Sequence, residues 1–257
     1  MLFNSYIPTS ALRPYIEMYW LLSGYVEQEE VIQLMPDGGI NLVLNLGEDI
    51  NSLKFCKNIS HERTYLVGTM MQTDEQVLLG NVLLFGIKFR PGAFTHFYQF
   101  ESLDGYSNQF HEFDRKDFPD IKRTIKFFTS YIDQFYLDRL SPPKYSILDI
   151  VSDISQHPGI KKVHALAKKH FVTERHLERQ FNLQIGVSPK EFMNLIRFNN
   201  TFAKLQSSSK QTILDIAWEF GYYDHAHLTN DFKRYTGKTP TDFFLSDFSK
   251  LVTSDIL

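Results

Sequence analysis

Catalysis and metal binding need thiols, imidazoles, carboxylates or guanidinium groups gathered together, and this sequence offers few such gatherings. Cys56 is the only thiol. Neither an intramolecular disulfide nor a cysteine-based zinc site can therefore form, which suits a reducing cytoplasm. His61, His96 and His111 are scattered through the first half, with no His-Xaa-His pair among them. His225 and His227 do form such a pair. They fall where the spacing predicts a helix, and residues two apart on a helix point in different directions. DNA contact or packing suits them better than a metal. No metal, cofactor or catalysis is expected. In the first half, Asp37 of Pro36-Asp37-Gly38 suits a turn. Arg90, before Pro91, suits either an anionic ligand or a carboxylate partner. Tyr19 and Trp20, with Phe89, can line an apolar pocket or fill a core, and core packing is the stronger reading. Asp37, Arg90, Trp20 and Tyr19 are thus the candidates for a ligand pocket.

The elements that position these residues fall into two halves. A chain of 257 residues exceeds the usual single domain. Its 43% hydrophobic and 22% charged content is that of an ordinary soluble protein. No apolar run approaches the roughly 18–20 residues that span a bilayer, and the first residues lack the basic start and apolar stretch of a secretory signal. Net charge is −3, but it is unevenly spread. From Lys144 onward there are 15 basic and 12 acidic residues, against 12 and 18 before it. Only the second half is a candidate for binding phosphates.

Residues 1–95 read mostly as β. Short apolar runs at 31–34, 40–47, 65–68 and 82–89 are bounded by Gly, Pro and Asp, as in a small barrel or sandwich. Ser10 to Leu22 fits a helix or a strand. Helical spacing follows over 92–100 and over 118–140, where Ile121, Ile125, Phe128, Ile132 and Phe135 recur every three or four residues. This second helix can pack on the barrel or on a second subunit. Ser141-Pro142-Pro143 breaks the chain. The expected domains are 1–140 and 144–247.

The second half contains an internal repeat. Leu177, Phe181, Gly186, Pro189 and Phe192 match Leu228, Phe232, Gly237, Pro240 and Phe243, each 51 residues on. Leu166-Ala167 matches Ile216-Ala217 at 50, so one turn is a residue longer. Each copy reads helix, tight turn, helix. Thr173, Thr212 and Asp224 are N-caps, and Gly221 supplies the second turn. Ser188-Pro189 opens a connecting helix running to about Gln206. At 1.5 Å per residue it spans about 28 Å, against roughly 34 Å for one turn of DNA. The first unit is expected over about 147–186, the linker helix over 189–206 and the second unit over 212–245.

These residues resemble the AraC/XylS family of transcription regulators. The resemblance covers about residues 145–245. It rests on Leu166-Ala167, Thr173 to Phe181, Gly186-Val187-Ser188-Pro189 and, most specifically, Ile216-Ala217 through Gly221-Tyr222, Phe232-Lys233, Gly237 and Pro240. The first half looks like a sensor-type domain found fused to this family. It carries Leu12-Arg13-Pro14-Tyr15-Ile16-Glu17 with Tyr19-Trp20, then Pro36-Asp37-Gly38, and Gly86-Ile87-Lys88-Phe89-Arg90-Pro91-Gly92. Some relatives join this DNA-binding unit to a cysteine-rich alkyl acceptor, which a chain with Cys56 alone cannot be.

The resemblance implies that Arg175, Glu178 and Arg179 face bases in the first unit, and His225, Ala226, Thr229 and Asn230 in the second. Arg binds guanine bidentately, Glu accepts from cytosine, Asn reads adenine and Ala touches a thymine methyl. Thr173, Lys190, Lys233, Arg234 and Lys238 are the candidate phosphate contacts. Two departures stand out. Phe171 occupies a turn position where the family usually has Gly, which is costly if φ is positive. Asn230 stands where the family often has Arg, with Asp231 beside it and Asp224 and Glu219 near. These features predict a weaker electrostatic grip by the second unit.

The expected fold is α+β: a β-rich barrel-like or sandwich-like domain with accompanying helices, then an all-α domain of two helix-turn-helix units joined by a central helix. The expected function is regulation of transcription, as an activator, through double-stranded DNA and RNA polymerase. A small-molecule effector or homodimerisation through the first half would modulate it. The alternative is a ligand-independent module that recruits a protein partner.

Overall fold

The computed structural model describes the chain except residues 54–56, 122–127, 158–161, 208–211, 246–250 and 253–257. Cys56, Ile125 and Lys161 lie outside the described residues. The first half is an antiparallel sheet with strands β1 (Leu2–Tyr6), β2 (Ile16–Leu34), β3 (Ile40–Asn45), β4 (Ile50–Ser52), β5 (Lys57–Ile59), β6 (Thr64–Val67), β7 (Asp74–Phe89) and β8 (Phe110–Phe113). The order is β1-β2-β7-β3-β6-β8, with β4 pairing the early part of β7 and β5 pairing β4. A short β9 (Leu251–Val252) lies parallel to the end of β2.

Both faces of this sheet are buried, and neighbouring residues go to opposite faces. Tyr19, Leu42, Phe85, Ile87 and Phe89 face one core, shared with Phe94, Phe97 and Tyr136. Trp20, Leu22, Val43 and Leu84 face the other, filled by the strands' own Ile59, Val67 and Phe110. Two buried faces explain why 82–89, apart from Lys88, reads as a continuous apolar run rather than an alternation. Trp20 pairs with Gly86. A Cβ on Gly86 would overlap the indole at 1.9 Å, so this glycine makes room for the ring.

The ambiguous stretch 10–22 is a turn and then, from Ile16, the start of the 19-residue β2. The helical spacing over 92–100 yields only a 3-10 turn, Phe94–His96. Its aromatic residues fill the core from a loop, where periodicity carries no information. Of the helix expected over 118–140, the described part is α1 (Phe128–Arg139). It packs Ile132 and Tyr136 on the sheet, and Asp133 accepts the Tyr19 hydroxyl proton at 2.8 Å.

The second half is helical: α2 (Leu148–Gln156), α3 (Val163–Lys169), α4 (Glu174–Gln184), α5 (Pro189–Ser207), α6 (Ile213–Glu219), α7 (His225–Thr236) and α8 (Pro240–Leu245). One core runs through all of it, from Ile150 to Phe243. Among the described residues, no helix is long and apolar enough to cross a membrane.

Candidate nucleic-acid interface

Each candidate recognition helix is set by a polar start and an apolar inner stripe. Thr173 Oγ accepts the His176 amide at 3.2 Å and opens α4. Asp224 accepts the His227 amide at 2.7 Å and opens α7. Leu177 and Phe181 on α4, and Leu228 and Phe232 on α7, are fully buried. Their burial turns Arg175 and Arg179, and His225, Ala226 and Asn230, outward into solvent; Glu178 and Thr229 are half-buried at the edge. Thr173, Lys190 and Lys233 are exposed and Lys238 is half-buried. Arg234 is exposed too, with its guanidinium 3.9 Å from Glu191 and over the Tyr235 ring.

The helices are spaced by α5, 19 residues long. Ser188 and Glu191 form its capping box: Ser188 Oγ accepts the Glu191 amide and the Glu191 carboxylate accepts the Ser188 amide. From its middle, Arg197 reaches α7 and pairs with Asp231 at 2.8 Å, while its guanidinium lies 4.4 Å over the Tyr222 ring. Burial pushes the Tyr222 hydroxyl pKa up, with the Asp231 charge adding to it. Asp231 is buried. It is a structural partner of α5 rather than a charge exposed beside Asn230. The sequence hides this because its partner lies 34 residues away.

The two turns have the same hydrogen bonds and different residues. Val172 donates to Ala167 at 3.0 Å in the first, and Tyr222 to Ala217 at 2.9 Å in the second. Gly221 has φ +77, and Phe171 has φ +54. A left-handed bulky residue costs about 1–2 kcal/mol. Nothing repays it in packing, because Phe171 is 96% exposed.

The first half grips the far ends of both recognition helices. At the end of α4, Leu103 N donates to Leu183 O at 3.1 Å, and Thr69 Oγ and Ser107 Oγ donate to the carbonyls of Ile185 and Gly186 at 2.6 Å each. At the end of α7, Thr73 donates both its amide (2.8 Å) and its hydroxyl (2.9 Å) to Tyr235 O. Helix ends leave carbonyls without partners; here the sheet domain supplies several. Asn199 of α5 also donates to Pro36 O at 3.0 Å, and Gly38 packs on the Phe192 ring. The loops around 36–38 and 69–73 therefore hold the linker helix and both recognition helices. Arg179 and Arg234 open onto clefts beside this seam.

A small apolar cavity of about 60 Å³ lies next to these loops, lined by Trp20, Leu34, Met35, Asp37, Met70 and Phe110 among others. Of the four residues expected to line a pocket, Trp20 and Asp37 do so. Tyr19 points to the opposite face and bonds to Asp133, and Arg90 is exposed, its Nε donating to Arg13 O at 2.8 Å. Strand alternation separates Tyr19 from Trp20. Lys88, missed in the sequence, is buried beneath Asp37 at 2.8 Å, with Glu17 at 3.7 Å. Burial raises the Glu17 pKa against the opposing pull of Lys88. A lone lysine inside the run 82–89 was the available signal.

Residues 166–246 match the family model described as a helix-turn-helix domain. The second half carries the AraC-type helix-turn-helix domain. Residues 4–110 match the model described as a domain of unknown function, DUF6597. An uncharacterized helix-turn-helix transcriptional regulator of Haemophilus influenzae is 32% identical over 94 residues, which is 37% of this chain and 31% of the relative. The transcriptional activator RhaS of Escherichia coli is 31% identical over 78 residues, 30% of this chain and 28% of its own length. The chain thus spans about a third of the length of these curated relatives. Among solved structures, ToxT from Vibrio cholerae has the same fold, with a TM-score of 0.50 at 10% identity, covering 95% of this chain and 98% of that one. The AraC-type domain accordingly sits behind an antiparallel sheet domain in a mixed α+β fold.

Proposed function

We propose that this chain regulates transcription, as an activator in the cytoplasm, by reading duplex DNA with α4 and α7. The supporting observation is the pairing of two outward helices, each capped at its free N-terminus and spaced by one stiff helix about 28 Å long. Arg175, Glu178 and Arg179 read bases in the first unit, and His225, Ala226, Thr229 and Asn230 in the second. Thr173, Lys190, Lys233, Arg234 and Lys238 hold phosphates. RNA polymerase is the protein partner of the bound regulator. Residues 1–140 form the controlling domain and 144–247 the reading domain. The controlling domain acts through the loops at 36–38 and 69–73, which touch both the cavity and the helices it would adjust.

Selection of binding sites from a random duplex library by the full chain tests this. The expected result is one motif about two major-groove segments long, with Arg179→Ala losing about 1–3 kcal/mol at a single base position. Enrichment of no motif would overturn it.

A cavity of about 60 Å³ is far below the roughly 300–1,000 Å³ of pockets for drug-sized ligands. That favours either a small, mostly apolar effector that widens the site, or the second reading, in which the first half recruits a partner or dimerises without ligand. Thermal shift of the full chain against a metabolite library separates them. A ligand at a hundredfold excess over its Kd adds about 2.7 kcal/mol, whereas the second reading expects no shift.

A further inference from the structure

The turn before α4 keeps a strained, solvent-facing ring that the folded chain does not use. Phe171 takes φ +54 where the equivalent Gly221 takes φ +77, in a turn with the same backbone hydrogen bonds. The strain is held from both sides. Asp153 of α2 accepts from Lys169 at 2.5 Å and faces the His170 ring nitrogen at 3.0 Å, fixing the end of α3, and Thr173 caps α4 two residues later. A side chain 96% exposed contributes no packing that would favour it over glycine. Strain that surrounding structure enforces points to use at a site.

The second unit has its own exposed ring in the corresponding turn, two residues beyond Gly221. Its turn is one residue longer, and the added residue, Tyr223, is 91% exposed directly before the Asp224 cap. The two turns share one property: each leads into the N-terminal end of a recognition helix, the end that meets base edges. A protein partner approaching from one side needs a ring on one unit; a duplex followed by both helices meets both.

We propose that Phe171 is a DNA contact, its ring laid on the apolar thymine methyl and deoxyribose surface at the rim of the major groove where α4 enters, with Tyr223 its counterpart at α7. This rests on the DNA-reading function proposed above. Aromatic contact with a thymine methyl is an established mode of base readout, and it supplies affinity that does not depend on charge.

The test uses the full chain, the duplex selected by the unmutated protein, and Phe171→Gly beside Phe171→Asn, two residues that tolerate a positive φ. The expected result is a higher melting temperature for Phe171→Gly and an affinity loss of about tenfold for both variants, the scale of one disrupted base-pair contact. Repeated selection with Phe171→Gly should also lose a thymine preference at one edge position. Equal affinity of all three proteins would overturn the proposal and leave the ring to a protein partner. A lower melting temperature for both variants would overturn it as well, since the ring would then be packing within the chain. If the unmutated chain selects no motif, the DNA-reading function itself fails and this contact with it.

Discussion

Gly186 and Gly237 close the two recognition-helix segments at equivalent positions, with φ +88 and +76. A Cβ on Gly186 would lie 2.4 Å from the Leu103 carbonyl oxygen, whereas one on Gly237 meets nothing within 4 Å. The first unit is thus pressed against the sheet domain at its helix end, and the second receives two hydrogen bonds from Thr73 at its own. A second contrast lies inside the units. Gln180 of α4 and Asp231 of α7 are 51 residues apart, at matching places in the repeat. Gln180 accepts from the Gln184 amide at 2.9 Å, while Asp231 pairs with Arg197 at 2.8 Å. The first unit is joined to its surroundings by neutral contacts and by the other domain. The second is joined to the linker helix by a buried charge pair. The same repeat therefore carries two kinds of support: close backbone packing on the sheet domain for the first unit, and a buried charge pair to the linker helix for the second.

Asp231→Ala should give the largest effect, because it strands the Arg197 charge in a mostly buried place, at a cost of about 3–5 kcal/mol. Gln180→Ala should cost about 1–3 kcal/mol. Urea denaturation of both variants measures the difference, and equal losses would abolish the contrast between the units. Gly186→Ala should cost about 2–4 kcal/mol through left-handed strain and overlap with backbone. Gly237→Ala should cost only the strain, about 1–2 kcal/mol. Hydrogen exchange should show loosened protection at Leu103 in the first variant alone. On DNA, Lys233→Ala should lower the salt slope by about one without changing the selected motif, in contrast to the base-specific loss at Arg179.

The smallest effect concerns pH. The Lys169 ammonium, then His170, hold the Asp153 carboxyl below its ordinary value. A depressed carboxylate pKa contributes stability that is present above the unfolded value of about 3.9 and lost as pH falls through the folded one. Asp153→Asn should therefore lose this stabilisation at neutral pH, where the carboxylate is charged, and show a flatter profile below about pH 4, where the two proteins converge. A parallel profile for the two proteins would remove Asp153 as the brace of the first turn.

Where structure is local, the sequence carried it. Thr173, Thr212, Asp224 and Ser188 cap the helices they were expected to cap, because a cap and its helix lie within four residues. The fully buried Leu177, Phe181, Leu228 and Phe232 follow from spacing alone. Where structure depends on a distant partner, it was hidden. The polar early part of β7, Asp74 to Asn81, is a strand because β2 pairs with it. Asp231 read as surface charge until Arg197 was beside it. Trp20 and Tyr19 were grouped as pocket residues, yet the pleat sends them to opposite cores. No spacing rule foretold Thr73 meeting Tyr235, 162 residues away.

The Thr73 contact has a mechanical consequence. It holds α7 by its last turn, while the proposed base-contact residues sit near its first. A helix of 12 residues is about 18 Å long, so tilting it by about 10° about that anchor swings its tip by roughly 3 Å. That is close to the rise of one base-pair step, about 3.4 Å. The sheet domain thus fixes the end about which α7 would turn, so a change in the helix's angle there is read out most strongly at the opposite end.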